Sequence, residues 1–220
     1  MLFTLFRDRV FEVTKPEALI EAYCFQSDFY AKYDFQCPKG DDSFEYVRFI
    51  GARTKKSTLS YCKAVIDRHK DFSMFSLDLD LFLSKTPEVR TQLAFKLGEL
   101  THELDDIEGI GFSKATKILH TLYPEIIPMI DNPLQKEYKA LRPEWKKGDW
   151  GQLFKDYYEN FLVKETYDNL NKVYNNLSFL GLTKVRIFDI LWWSFLKSKN
   201  LKDSKGENVK INWSTIKSIS

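Results

Sequence analysis

From position 87 to 119 the apolar residues recur with a helical period on both sides of a short glycine turn, and no other stretch constrains the fold as strongly. Val89, Leu93, Leu97, Leu100, Leu104 and Ile107 follow at intervals of four, four, three, four and three. Thr86 stands where a cap belongs and Pro87 at the first helical position, where its missing N–H costs nothing. The stripe lasts under three heptads, so it predicts a packed core helix and not a coiled coil. Gly109-Ile110-Gly111 then makes a turn, and Ala115, Ile118 and Leu119 continue a second helical face. The glycines allow positive φ and leave the backbone amides bare to an outside group. Those amides open the second helix, whose unpaired N–H groups and positive dipole end favour an anion such as a phosphate.

The rest of the chain reads as further helices. One is expected over 16–33, with Thr14 as cap, and 34–43 breaks the pattern with Pro38, Gly40 and three acids. A short helix is expected over 43–50 and a longer one over 57–68, where Leu59, Cys62, Ile66 and His69 share a side. Asp78 and Asp80 alternate with Leu77, Leu79 and Leu81, a spacing open to strand, helix or turn. Beyond Asp131, helices are expected over 133–140, in one or two pieces over 151–177, and over 184–196, the last apolar almost all round and capped by Thr183. The fold class is therefore all-α.

Composition bounds the function only loosely. The 220 residues include 18 Phe and 11 Tyr, and 44% are hydrophobic, which places the chain among globular proteins. A formal charge of +2 is too small to show a nucleic-acid partner, so DNA binding must come from a local patch. Cys24, Cys37 and Cys62 lack metal-like spacing and fit a reducing intracellular, cytoplasmic setting. The apolar N-terminus is broken by Arg7, Asp8 and Arg9, unlike a signal peptide or membrane span, and no run of eighteen apolar residues occurs. His69, His102 and His120 are too scattered to propose as ligands and read as surface or boundary residues.

The residues Leu104, Ile107, Gly109, Ile110, Gly111, Ala115, Ile118 and Leu119 resemble the helix-hairpin-helix motif. Asp131 lies 22 positions after Gly109, behind Pro124 and Pro128, and this resembles the helix-hairpin-helix DNA glycosylases, in which a Gly/Pro-rich link delivers a catalytic Asp. The resemblance implies two helical subdomains with the motif at the cleft between them: 39–130 as one, and 1–38 with 131–220 as the other. It implies hydrolysis of the N-glycosidic bond of a flipped damaged, mispaired or modified base. Asp131 and Ser113 would serve the chemistry, and Gly109, Ile110, Gly111, Lys114 and Lys117 would hold the DNA. A monovalent cation at the turn carbonyls is also implied, and no side-chain metal site. Family members that also cut the strand carry a Lys two positions after the second glycine; Ser113 stands there, so the likeness is to the single-function branch, including the mismatch adenine glycosylases. No Cys follows Cys62, so the family's C-terminal iron–sulfur cluster is not expected. Duplex DNA is the expected partner, with no membrane, and the chain is read as a monomer.

Several residues keep two readings. Asp131 precedes Asn132-Pro133, a favoured helix-cap context, as well as standing at the catalytic spacing. Trp145 and Trp150 flank Lys146 and Lys147, which suits either base stacking or plugging a helical bundle. Trp192 and Trp193 pack a core or line a base pocket. From Leu182 onward eight Lys or Arg stand against three acids, either phosphate contacts or a solubilising end. A non-enzymatic DNA-binding module is the alternative to a glycosylase, and a helical interaction protein is a third reading.

Overall fold

The computed structural model describes residues 1–6, 9–25, 54–197 and 211–215. The expected helix over 43–50, positions 26–33 of the first expected helix and the domain boundary at 38/39 lie outside the described residues. In chain order the elements are β1 (Leu2–Leu5), β2 (Arg9–Val13), α1 (Pro16–Phe25), α2 (Lys56–Arg68), α3 (Leu79–Leu83), α4 (Pro87–Asp105), α5 (Phe112–Leu122), α6 (Asn132–Leu141), α7 (Trp150–Glu159), α8 (Lys164–Asn176), α9 (Lys184–Lys197) and β3 (Ile211–Thr215). Single 3-10 turns lie at Ser73–Ser76, Asn160–Leu162 and Ser178–Leu180.

The long amphipathic stripe becomes α4. Thr86 Oγ1 accepts from the Val89 N–H, and Leu93, Leu97, Leu100 and Leu104 are buried. Val89, in the first turn, departs from the stripe and is 38% exposed. Small residues let α7 approach α4 to backbone contact: a Cβ on Gly98 would lie 2.3 Å from the Gly151 nitrogen, and one on Gly151 would lie 2.8 Å from Phe95. Farther along, Asp78 resolves its ambiguous surroundings by capping α3, where its carboxylate accepts from the Leu81 N–H at 2.7 Å.

The protein is mostly helical, consistent with the all-α expectation, with one small sheet beside the helices. Strands β1, β2 and β3 form an antiparallel sheet in that order, with Phe3 opposite Phe11 and Phe11 opposite Trp213. The N-terminal run lacks a helical period, and its aromatic and branched residues suit a pleated, half-buried surface. Its edge is closed by α8: Thr166 Oγ1 accepts from the Thr4 N–H at 2.8 Å, and Asn169 Nδ2 donates to the Leu2 carbonyl at 2.9 Å. The far end of the basic tail thus includes a strand of this sheet. Phe3, Phe6 and Phe11 join Phe188, Trp192 and the leucines of α4 in one continuous apolar core.

Gly98→Ala should force α4 and α7 apart. Overpacking of this kind costs about 1–3 kcal/mol, and at roughly 2–4 °C per kcal/mol the melting temperature should fall by about 2–12 °C in thermal unfolding.

Candidate functional site

The turn between α4 and α5 is rigid for local reasons. Gly109 has φ 82° and Gly111 φ 67°, values that strain any residue with a Cβ. Between them Ile110 is buried, and its N–H closes the turn on the Ile107 carbonyl at 2.9 Å. Phe112 stacks on Trp150 of α7 at 3.8 Å between ring centroids, which fixes the start of α5. The N–H groups of Gly111, Phe112 and Ser113 find no acceptor among the described residues, so the N-terminus of α5 presents donors outward.

Lys114 folds back over this turn, and its ammonium donates to the Gly109 carbonyl at 2.6 Å. That carbonyl is one of the turn carbonyls at which the resemblance implies a monovalent cation, and here it accepts from the Lys114 ammonium. Beside the turn runs an open groove of about 690 Å³, lined among others by Lys55, Tyr61 and Arg68 and by Gly109 and Lys114. Tyr61 is 69% exposed there.

The segment from Tyr123 to Asp131 has almost no regular structure, and side chains from other elements hold its backbone. Thr183 Oγ1 donates to the Pro124 carbonyl at 2.9 Å, and Tyr158 Oη to the Ile126 carbonyl at 2.7 Å. His120 Nδ1 bonds the Ile127 carbonyl at 2.5 Å, while Asp189 Oδ2 accepts from the Met129 N–H at 2.7 Å. Thr116 Oγ1 accepts from the Ile130 N–H at 3.2 Å and lies 3.3 Å from the Ile130 carbonyl. His120 is thus a buried strut and not the surface or boundary residue expected.

This link ends at Asp131, whose Oδ1 accepts from the Leu134 N–H at 3.2 Å and caps α6. The capping role is therefore real. Asp131 also lines a cavity with Tyr23, Lys117, Met129, Arg186, Asp189, Ile190 and Trp193. Only Asp131 and Trp193 among these are half-buried and the others are buried, which sets the mouth between the start of α6 and α9. The cavity holds about 20 Å³, room for a single water.

Lys117 corrects an expectation. It is 7% exposed and lies in this cavity instead of on a phosphate-facing surface, because α5 is buried on almost every side beyond its first turn. Burial pushes its amine below the ordinary lysine range; the Asp131 carboxylate opposes that shift and the Arg186 guanidinium adds to it. Asp189 accepts from Tyr157 Oη at 2.8 Å as well as from Met129, and Arg186 donates to Tyr23 Oη. Ser113 sits one turn before Lys117, half-buried.

The tryptophans divide. Trp193 lines the cavity, edge-on to Tyr23 at 6.3 Å, whereas Trp192 is wholly buried against Phe6 and Tyr157 and does not line it. Trp145 and Trp150 are also buried, so they plug the bundle and do not stack on a ligand. Sequence reasoning missed Tyr23, Met129 and Ile190 as cavity residues. Among the described residues no group of three or more His, Cys, Asp and Glu could hold a metal ion, and no helix is long and apolar enough to cross a membrane.

No protein-family model, curated protein or solved structure matches the chain.

Thr116→Val keeps the side chain's shape and removes the hydroxyl that serves Ile130. The buried Ile130 N–H then lacks its acceptor, at a cost of about 1–3 kcal/mol. Urea unfolding should show a lower midpoint with an unchanged slope.

Proposed function

We propose that this protein is a DNA glycosylase that hydrolyses the N-glycosidic bond of a flipped damaged, mispaired or modified base. The observation that carries the reading is the placement of Asp131: a link anchored to α5, α7 and α9 brings its carboxylate to the mouth of a cavity that Lys117 of α5 also lines. The donors at Gly111, Phe112 and Ser113 take a backbone phosphate, which sets register without reading sequence. Lys114, Lys55 and Arg68 add positive charge along the neighbouring groove. Phosphate gripping of this kind weakens steeply with salt.

A base within a duplex is out of reach of Asp131, so the nucleotide rotates outward at a cost of a few kcal/mol, least for a mispaired or damaged base. The cavity of about 20 Å³ does not admit a base, so Trp193, its half-buried wall residue, turns away as the base enters. Breaking the glycosidic bond puts positive charge on the sugar, and the Asp131 carboxylate stabilises that charge and orients the attacking water. Capping engages Oδ1 of Asp131 and fixes the carboxylate's direction, so the two roles are compatible.

The alternative is a DNA-binding module without chemistry, favoured by the cap and by the narrow cavity. Incubation with a panel of modified duplexes, with released bases read by mass spectrometry, separates the two. A glycosylase releases a base from at least one duplex, and a binding module from none. Asp131→Asn should lower release by at least about 100-fold while leaving DNA affinity nearly intact. Retained excision in that variant would sink the assignment. Replacing Gly109 and Gly111 by Ala should instead abolish salt-sensitive DNA binding.

A further inference from the structure

One wall of the open groove beside the hairpin is a single stripe that begins just before α2 and runs its length. Thr54, Thr58, Tyr61, Val65 and Arg68 line the groove at intervals of four, three, four and three, which puts them on one side of the helix. The inward side of α2 is the neighbouring one, where Cys62, Val65 and Ile66 are buried. A stripe made to pack on the hairpin would be apolar in the same way. This one is mostly hydroxyl, aromatic and guanidinium groups instead.

The charges in the groove are spread along it. Lys55 and Arg68 both line it and stand thirteen positions apart, roughly 20 Å along a helix that rises 1.5 Å per residue. Tyr61 lies between them and is 69% exposed. Lys114 brings a third cation from the hairpin, pinned on the Gly109 carbonyl at 2.6 Å, against one lining carboxylate, Glu108. Glu103 steadies the far end, accepting from Arg68 Nη2 at 3.0 Å and pairing with His69. At the near end Thr54 Oγ1 is buried and has no hydrogen-bond partner among the described residues. A buried hydroxyl left unmet costs free energy that an acceptor on a ligand recovers.

A small anion would engage only one of these cations. Positive groups spread over that length, with a flat ring exposed between them, match a chain that carries repeated negative charges and flat faces. An unpaired nucleic-acid strand has both, whereas the paired and stacked bases of a duplex offer Tyr61 no free face. We propose that this groove holds a single-stranded stretch of DNA, with its phosphates on Lys55, Lys114 and Arg68 and an unpaired base stacked on Tyr61. The choice of DNA rests on the glycosylase reading, but the groove needs no chemistry at Asp131. The preferred substrate therefore carries an unpaired stretch beside the target base.

The test uses the full chain and fluorescence anisotropy with a labelled oligothymidylate of about 12 nucleotides, within the size range of single-strand sites. The oligothymidylate should bind at least about fivefold more tightly than a paired duplex of the same length, with an affinity that falls steeply as salt rises. Tyr61→Ala should weaken that binding at least about fivefold, and Tyr61→Phe, which keeps the ring, should restore it. Lys55→Gln should weaken it as well and flatten its salt dependence. Both positions are exposed, and circular dichroism confirms that the variants are folded. A Tyr61→Ala variant that binds like the parent, or a paired duplex that binds as tightly as the oligothymidylate, overturns the proposal. An oligouridylate that binds more tightly than the oligothymidylate overturns the assignment to DNA. Base release from modified duplexes, together with unchanged oligothymidylate binding in Tyr61→Ala, overturns the groove and leaves the glycosylase reading standing. Single-strand binding that depends on Tyr61, without base release from any duplex, supports the groove and removes the chemistry instead.

Discussion

The position of Asp131 depends on hydrogen bonds made by the backbone of a segment that has almost no regular structure. From Ile126 to Ile130 the chain runs through the interior, where each unmet N–H or C=O would cost about 1–3 kcal/mol. Thr116 and His120 of α5, Tyr158 of α7, and Thr183 and Asp189 at α9 meet these groups one by one. The same bonds tie three helices together through one strip of backbone. A shift in any of those helices is therefore passed to the carboxylate at the end of the strip. The Gly98–Gly151 contact, which sets how closely α7 lies on α4, belongs to this chain of dependence.

Around the cavity, Lys117, Asp131, Arg186 and Asp189 bring four ionisable groups together, three of them buried. Desolvating charges is expensive, and a core built only for stability does as well or better with apolar side chains of similar volume. Lys117, whose amine burial pushes below the ordinary lysine range, is the perturbed group among them, and its place beside a cavity fits the candidate site proposed above. Asp189 belongs to the scaffold, since both its oxygens hold Met129 and Tyr157, and Asp131 stands where the cavity meets solvent.

Much of this was readable from residues alone where the signal was local. The stripe from Leu93 to Leu104, the cap at Thr86 and the glycine turn all follow from short-range periodicity and backbone freedom, and α4 and the turn occur where those signals place them. The sheet was not readable, because β2 pairs with a strand from the opposite end of the chain and neither carries a turn signal that points to the other. Trp192 and Trp193 are adjacent in sequence, yet only the three-dimensional packing of α9 sends one into the core and the other to the cavity. Lys117 offered a clue in its spacing of four from Ser113. Thr116 and Asp189 offered none, since their partners lie 14 and 60 residues away.

Amide hydrogen exchange of Met129 and Ile130 tests the central dependence most directly. Held by Asp189 and Thr116, both N–H groups should exchange as slowly as the buried middle of α5, with protection close to that of the global fold. Exchange at the rate of an exposed loop would show that the link is not held, and that Asp131 has no fixed place at the cavity.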